Sequence, residues 1–434
     1  MVASKLCTAF VTVSLSLVLA VSLAAASWQQ WRGPNNNGVA ESAAPTEFSA
    51  AEHVKWRVPI PGHGNSTPII VGERIFLTTA VRTGGGQVSR GSGFGGGAGV
   101  AEHEFVVMAL DKATGKVIWR RTAITTTPHE GHHEQYGSFA SNSPVSDGQT
   151  LFASFGSRGV YAYDLDGNLK WKKEIAPLRM RHGFGEGTAL VLHGNSLVLQ
   201  HDQQTSSYLL VLDKRTGKEI WRAARREESA WAQPLVVEYE GRKQLITSST
   251  RVRTYDLETG ELIWEAGGLG GNAIPAVIQV SDEMVIALTG WRNANLLAIK
   301  LGGKGDITGN PEFIKWTNRR GNSYTPSPVL HNGILYLLAD NGVLSAFDAL
   351  TGEVHYMQQR MPGFPSFKAS PVAAGGNLYT ASENGLATVI KLGPQFEVVA
   401  ANKMGDEMFV SSPVIVDGDL FLRSQDELFA ISED

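Results

Sequence analysis

The chain has 434 residues, 18% of them charged, and a formal net charge of −4. No long run of one charge sign occurs, so nothing in the sequence suggests a nucleic-acid footprint. The single cysteine, Cys7, stands at the N-terminus. The rest of the chain therefore has no disulfide framework, thiol nucleophile or cysteine metal ligand.

In chain order, the first predicted element is a leader. Lys5 precedes an apolar run from Leu6 to Leu23, and Ala24-Ala25-Ala26 supplies small residues for cleavage. This reads as a secretory signal peptide over residues 1–26, with an uncleaved anchor as the alternative. Cys7 lacks the small-residue context of a lipoprotein cleavage site. No later apolar run is long enough to cross a bilayer. The expected location is the periplasm or the exterior, with membrane contact only through the transient export signal. Residues 27–50 read as an N-terminal extension and 51–434 as one repeat domain.

Repeats dominate the rest. Trp56, Trp119, Trp171, Trp221, Trp264 and Trp316 recur at one position of a unit, most closing a variant of Asp-x-x-Thr-Gly-(Lys/Glu)-x-x-Trp. From Trp119 onward the spacings are 52, 50, 43 and 52 residues. A period near 50 marks stacked or radially arranged supersecondary units. The fullest unit starts a strand at Ser143-Pro144-Val145, turns at Asp147-Gly148, and forms a second strand over Leu151–Phe155. A third strand spans Gly159–Asp164, and a fourth begins at Leu169 after the turn Asp166-Gly167-Asn168. Asp-Gly between β-branched and aromatic runs is a strong hairpin signal.

The same grammar recurs at Pro68, Pro234, Pro275, Pro328, Pro371 and Pro413, and without proline over Thr188–Leu192. Together with Pro144 this gives eight starts, the proline expected as first residue of its strand, where it breaks no ladder bond. One degenerate unit fewer would leave seven. The last unit ends on its third strand, Leu428–Ile431, whereas Val54–Val58 is a fourth strand without partners. The expected fold is all-β: an eight-bladed β-propeller of four-stranded antiparallel blades. The N-terminal strand Val54–Val58 completes the last blade, and the tryptophans pack between blades.

The Ala-(Leu/Tyr/Phe)-Asp-x-x-Thr-Gly-x-x-x-Trp pattern, following Ser-Pro-Val-x-x-(Asp/Gly)-Gly, resembles the PQQ-like, quinoprotein-type propeller repeat. The likeness covers nearly all of the chain after the leader. Trp28-Gln29-Gln30-Trp31-Arg32-Gly33-Pro34-Asn35 resembles the opening of secreted, largely uncharacterised bacterial members. The wider family implies two roles: a PQQ- and Ca²⁺-dependent dehydrogenase of alcohols or sugars, or a scaffold like the propeller lipoprotein of the β-barrel assembly machinery. Fold transfers on such a likeness; function has to be argued from a site.

Four antiparallel strands per blade put second-to-third loops and blade-to-blade links on one face, and all the long segments fall there. His129-Glu130-Gly131-His132-His133 spells the HExxH zinc-protease signature, whose chemistry needs a helix to set both histidines on one face. Pro128 and Gly131 oppose a helix, so a polar loop with backbone-bonded imidazoles is the default reading. Arg179, Arg181 and His182 on one link, and Arg319, Arg320 and Tyr324 on another, could hold an anion or simply bridge blades. Trp231, Trp291 and Arg292 lie outside the tryptophan register and are candidates for stacking on a ligand or for packing under a loop. The glycine-rich stretch Gly84–Gly99 lacks the Lys-Ser/Thr of a phosphate loop and reads as a surface insertion.

No cofactor follows from these residues alone, although the resemblance keeps PQQ with Ca²⁺ open. The vicinal cysteine pair typical of the alcohol-oxidising enzymes is missing, and no residue can be assigned to a Ca²⁺-binding or catalytic carboxylate. The expectation is an exported binding or scaffold module holding a protein or polymer partner at its loop-rich face. The dehydrogenase is the alternative, and a metal-dependent hydrolase using the histidine loop a third reading.

Overall fold

Each apolar run in this chain is cut after a few residues by Asp-Gly, Asn-Gly or Thr-Gly, so strands extend briefly and reverse. The computed structural model describes residues 27–84 and 101–433. The leader, and all but the first residue of the glycine-rich insertion, lie outside the described residues. The strands form eight antiparallel sheets. Blades 1 to 8 begin at the inner strands Ile69–Val71, Val145–Ser146, Val191–His193, Leu235–Tyr239, Ile278–Ser281, Val329–His331, Val372–Ala374 and Val414–Val416.

The eighth blade has only three strands of its own. Its outer strand is Val54–Pro59, paired antiparallel with Glu427–Ile431 so that Trp56 faces Ala430. The eight-blade count and the closure of the ring by the N-terminal strand are thus as the repeat grammar predicts. Two details differ. The prolines stand just ahead of the inner strands rather than as their first residues. Blade 4 gains a fifth strand, Gly305–Asp306, parallel to Leu262–Gly267. It comes from blade 5, where Lys300-Leu301-Gly302 replaces the tight Thr-Gly turn and the added residues reach back over the neighbouring blade.

The recurrent tryptophan is a lock between blades. The Trp171 indole Nε1 donates to the Lys214 carbonyl at 2.9 Å, and its ring lies against Gly217 of the next blade's turn. A Cβ on Gly217 would sit 2.6 Å from that ring, and its φ of +68° is left-handed, so only glycine suits the turn. The pairs Trp56 with Gly115, Trp119 with Gly167, Trp221 with Gly260, and Trp316 with Gly352 repeat the arrangement. Trp264 is the exception: fully buried under the blade-5 insertion beside Ile307, its indole nitrogen has no hydrogen-bond partner.

Around the axis, the hydroxyls that precede five of the prolines tie neighbouring blades together. Thr67 N donates to Ser143 Oγ, Ser412 N to Thr67 Oγ1, Ser370 N to Ser412 Oγ, Ser327 N to Ser370 Oγ, and Ala276 N to Ser327 Oγ, all between 2.9 and 3.2 Å. The corresponding residues of blades 4 and 5 are Gln233 and Ala276, so the hydroxyl ring is interrupted there.

Residues 28–39 enter the channel from the short-turn face. Trp28 bridges Ile70, Gln29 O accepts from Ser146 N, and the buried Arg32 guanidinium donates to the carbonyls of Pro328 and Pro371, both at 3.0 Å. The segment then crosses beneath blade 7, pairing Val39 with Ala373 and taking the Tyr379 hydroxyl on Ala44 O, before it becomes the closing strand.

Candidate functional site

The loop-rich face is built around the link of residues 127–144. Proline and glycine keep His129–His133 out of any helix, so the two histidines of the HExxH letters do not share a helical face. His129 Nε2 lies 2.7 Å from the Leu178 carbonyl, and His132 Nδ1 lies 3.0 Å from that of His133. His132 packs edge-on against Phe139 and His63. His133 stacks on Tyr136 with ring centroids 3.6 Å apart.

Tyr136 in turn reaches the opposite side of the ring. Lys368, on the link between blades 6 and 7, places its ammonium 4.7 Å from the Tyr136 ring and pairs with Asp340 at 2.8 Å. Asp340 also accepts from Tyr324 N, Thr325 N and Thr325 Oγ1. Side chains of the protein itself therefore bridge the channel mouth on this face.

The other sequence candidates form an arc on one side of that bridge. Arg181 donates to Asn272 Oδ1 at 3.3 Å and pairs with Glu228, and Asn272 Nδ2 donates to the Tyr324 hydroxyl at 3.4 Å. Tyr324 packs against Trp291 with centroids 5.3 Å apart, and the Arg292 guanidinium lies over the Trp291 ring. Trp231 points inward: its indole donates to Gly185 O at 2.8 Å, so it braces two links rather than facing solvent. His182 is exposed beside Phe184, and Arg179 is exposed with a distant Glu130 at 3.9 Å. Arg226, Arg292, Arg319 and Arg320 are exposed and form no ion pair among the described residues. Arg226 was not a sequence candidate; it lies directly beside Arg225, whose side chain turns inward to the buried Asp202 at 2.9 Å.

Burial holds the imidazoles beneath this face neutral. It pushes His63 down to about 4, with His132 and Arg423 adding in the same direction, and it lowers His103, His132 and His133 as well. A base whose folded pKa is depressed binds its proton more readily when unfolded. Stability is thus whole above the ordinary value near 6.5 and falls as pH drops toward 4. For His63 alone the loss reaches about 3 kcal/mol. Urea midpoints between pH 7.5 and 4.5 check this: His63→Gln should flatten the dependence, and an unchanged slope would rule His63 out as its source.

The carboxylates of this face are not arranged to hold the Ca²⁺ that would accompany PQQ. Among the described residues no three His, Cys, Asp or Glu side chains converge as a metal-holding group. The buried carboxylates of this face already have partners: Glu186 with Arg158 at 2.9 Å and Ser157 Oγ at 2.8 Å, Asp202 with Arg225, Asp340 with Lys368, and Glu227 with Arg253. Ca²⁺ wants six to eight oxygen ligands, and recruiting these would leave buried guanidinium groups uncompensated.

Comparison with known proteins agrees with this architecture. The family model described as outer membrane protein assembly factor BamB matches residues 103–358. BamB from Moraxella catarrhalis superposes with a TM-score of 0.53 at 13% identity, covering 82% of this chain and 97% of that one. A europium-containing methanol dehydrogenase gives 0.64 at 10% identity, covering 94% and 98%. The quinohemoprotein alcohol dehydrogenase of Comamonas testosteroni gives 0.60 at 10%, covering 93% and 80%. At such identities the structural likeness carries the fold alone. No curated protein matches the sequence.

Proposed function

The chain belongs to the PQQ-like propeller family described as outer membrane protein assembly factor BamB, and from that membership we propose that it is an exported, non-catalytic binding module. Its partner is a protein, held at the loop-rich face.

The observation that carries this reading is the arc of Arg226, Arg292, Arg319 and Arg320, exposed and without ion pairs among the described residues, beside the half-exposed Trp291. Unpaired guanidiniums and an accessible indole are the side chains most enriched where partners dock. The Tyr136–Lys368 bridge across the channel mouth supports the same reading, since it lays side chains over the axis as part of a patterned surface. Export rests on the leader of residues 1–26, and no described helix is long and apolar enough to cross a membrane.

Arg292→Glu, Arg319→Glu and Arg320→Glu combined should weaken a purified partner's binding at least tenfold, chiefly through a slower, less salt-sensitive on-rate, while leaving the melting temperature unchanged. The same charge reversal on the short-turn face serves as control. Dye-linked oxidation of alcohols or sugars after addition of PQQ and Ca²⁺ should show no turnover; stoichiometric uptake with turnover would overturn the proposal.

A further inference from the structure

At the opposite, short-turn end of the channel lies a cavity of ≈ 450 Å³, within the range of small-molecule sites. Blades 3, 4 and 5 form one wall, in the sector where the axial hydroxyl ring is interrupted. The other wall is the Gln30 and Pro34–Asn37 part of the N-terminal segment. The two halves of Trp-Arg-Gly-Pro-Asn-Asn-Asn have different tasks. Trp28, Trp31 and Arg32 fasten it to blades 1, 8, 7 and 6, Trp31 donating to Ser412 Oγ at 3.2 Å. Gly38 lies so close to the Arg32 guanidinium that a Cβ would sit 2.1 Å away. Anchored in this way, the three asparagines are presented to the cavity.

The chemistry of the lining is specific. Gln30, Asn35, Asn36, Asn37 and Gln279 contribute side-chain amides, Asp282 a carboxylate, and no lysine or arginine lines the space. Asn37 Oδ1 accepts from Val39 N, Gln30 Nε2 donates to Pro34 O and Gln279 Nε2 to Ser281 O, whereas the side-chain amides of Asn35 and Asn36 have no hydrogen-bond partner among the described residues. Amides left without partners along a ligand-sized space offer donors and acceptors to a molecule from outside the protein. Leu235, Ile278 and Val280 add aliphatic wall between these polar groups. Amides that both donate and accept match vicinal hydroxyls, and an aliphatic wall matches C–H faces. With no lysine or arginine in the lining, and His193 held toward its neutral form by burial, the space disfavours anionic ligands.

We infer that this cavity is a binding site for a neutral, hydroxyl-rich small molecule of mono- or disaccharide size, with the Asn35–Asn37 run as its recognition edge. The site is separate from the loop-rich face and does not depend on the function proposed for that face.

Calorimetric titration of the purified protein with trehalose, maltose and N-acetylglucosamine tests it, with citrate and spermidine as charged controls. Saturable binding of at least one saccharide, and of neither control, is expected. Asn36→Gly keeps the left-handed backbone at φ +54° while deleting the amide, and Ser281→Phe fills the space. Each should weaken binding tenfold or more with melting unchanged, whereas the arginine reversals on the other face should leave it intact. No saturation by any of the three sugars, binding of citrate or spermidine instead, or sugar binding indifferent to both cavity variants would each overturn the inference.

Discussion

Arg423→Ala is expected to destabilise the protein by about 3–5 kcal/mol, among the largest effects of any single substitution in it. Arg423 ends the strand Asp419–Arg423 of blade 8, and its fully buried guanidinium reaches across the closing seam into blade 1. It donates to Ser66 O at 2.7 Å and Thr78 O at 2.9 Å, and also to Ser66 Oγ. Burial lowers the guanidinium to about 9, so it is still a cation at neutral pH, held by carbonyl dipoles rather than by a carboxylate. Truncation removes these charge-assisted hydrogen bonds, each worth about 1.5–3 kcal/mol, leaves Ser66 O and Thr78 O only the hydroxyls of Ser411 and Ser66, and opens a cavity where the guanidinium lay. Arg423→Lys carries the charge but cannot present a planar fork to two carbonyls, so it should recover less than half of the loss. Urea unfolding at pH 7.5 measures both. A change below about 1 kcal/mol for Arg423→Ala would mean that the seam does not rely on this side chain.

Arg423 also illustrates where reading the sequence stops. The tryptophan register, the Thr-Gly turns and the orphan strand near the N-terminus are periodic, and periodicity survives in one dimension. The architecture, including closure by Val54–Pro59, was therefore open to sequence reasoning. Arg423 carries no such mark: its partners are backbone carbonyls more than 340 residues away along the chain. The same holds for Tyr136 and Lys368, which meet only because the ring closes between them. His129 and His132 could be placed on a loop because Pro128 and Gly131 forbid the helix their spacing imitates. Trp231 could not be told from Trp291, since both lie outside the register and only packing turns one inward and leaves the other exposed. Trp28–Asn37 was visible as an unusual segment. Its entry into the channel was not, because nothing local specifies that Arg32 will find Pro328 O and Pro371 O.

Removal of residues 27–59 is expected to have the larger consequence, the loss of the cooperative fold. Without Val54–Pro59 the strand Glu427–Ile431 becomes an edge, exposing Leu428 and Phe429 that are now fully buried. Such an edge is a template for intermolecular pairing. Five registered residue pairs disappear, with ladder hydrogen bonds at about 1 kcal/mol each. Trp56 also leaves its place on Gly115 and the Lys112 carbonyl, costing about 3 kcal/mol more. The sum, roughly 5–8 kcal/mol, is comparable to the whole net stability of an ordinary domain. The truncated chain should therefore aggregate on size-exclusion chromatography and lack a sharp melting transition. A synthetic peptide spanning residues 27–60 should restore both monomer and melting, because it supplies the missing strand, Trp56 and the Arg32 anchor together. The same peptide with Trp56→Ala should rescue much less well. A truncated chain that stays monomeric and melts within a few degrees of the parent would show that seven complete blades and a partial eighth suffice, and that Trp56 is a passenger at the seam rather than its lock.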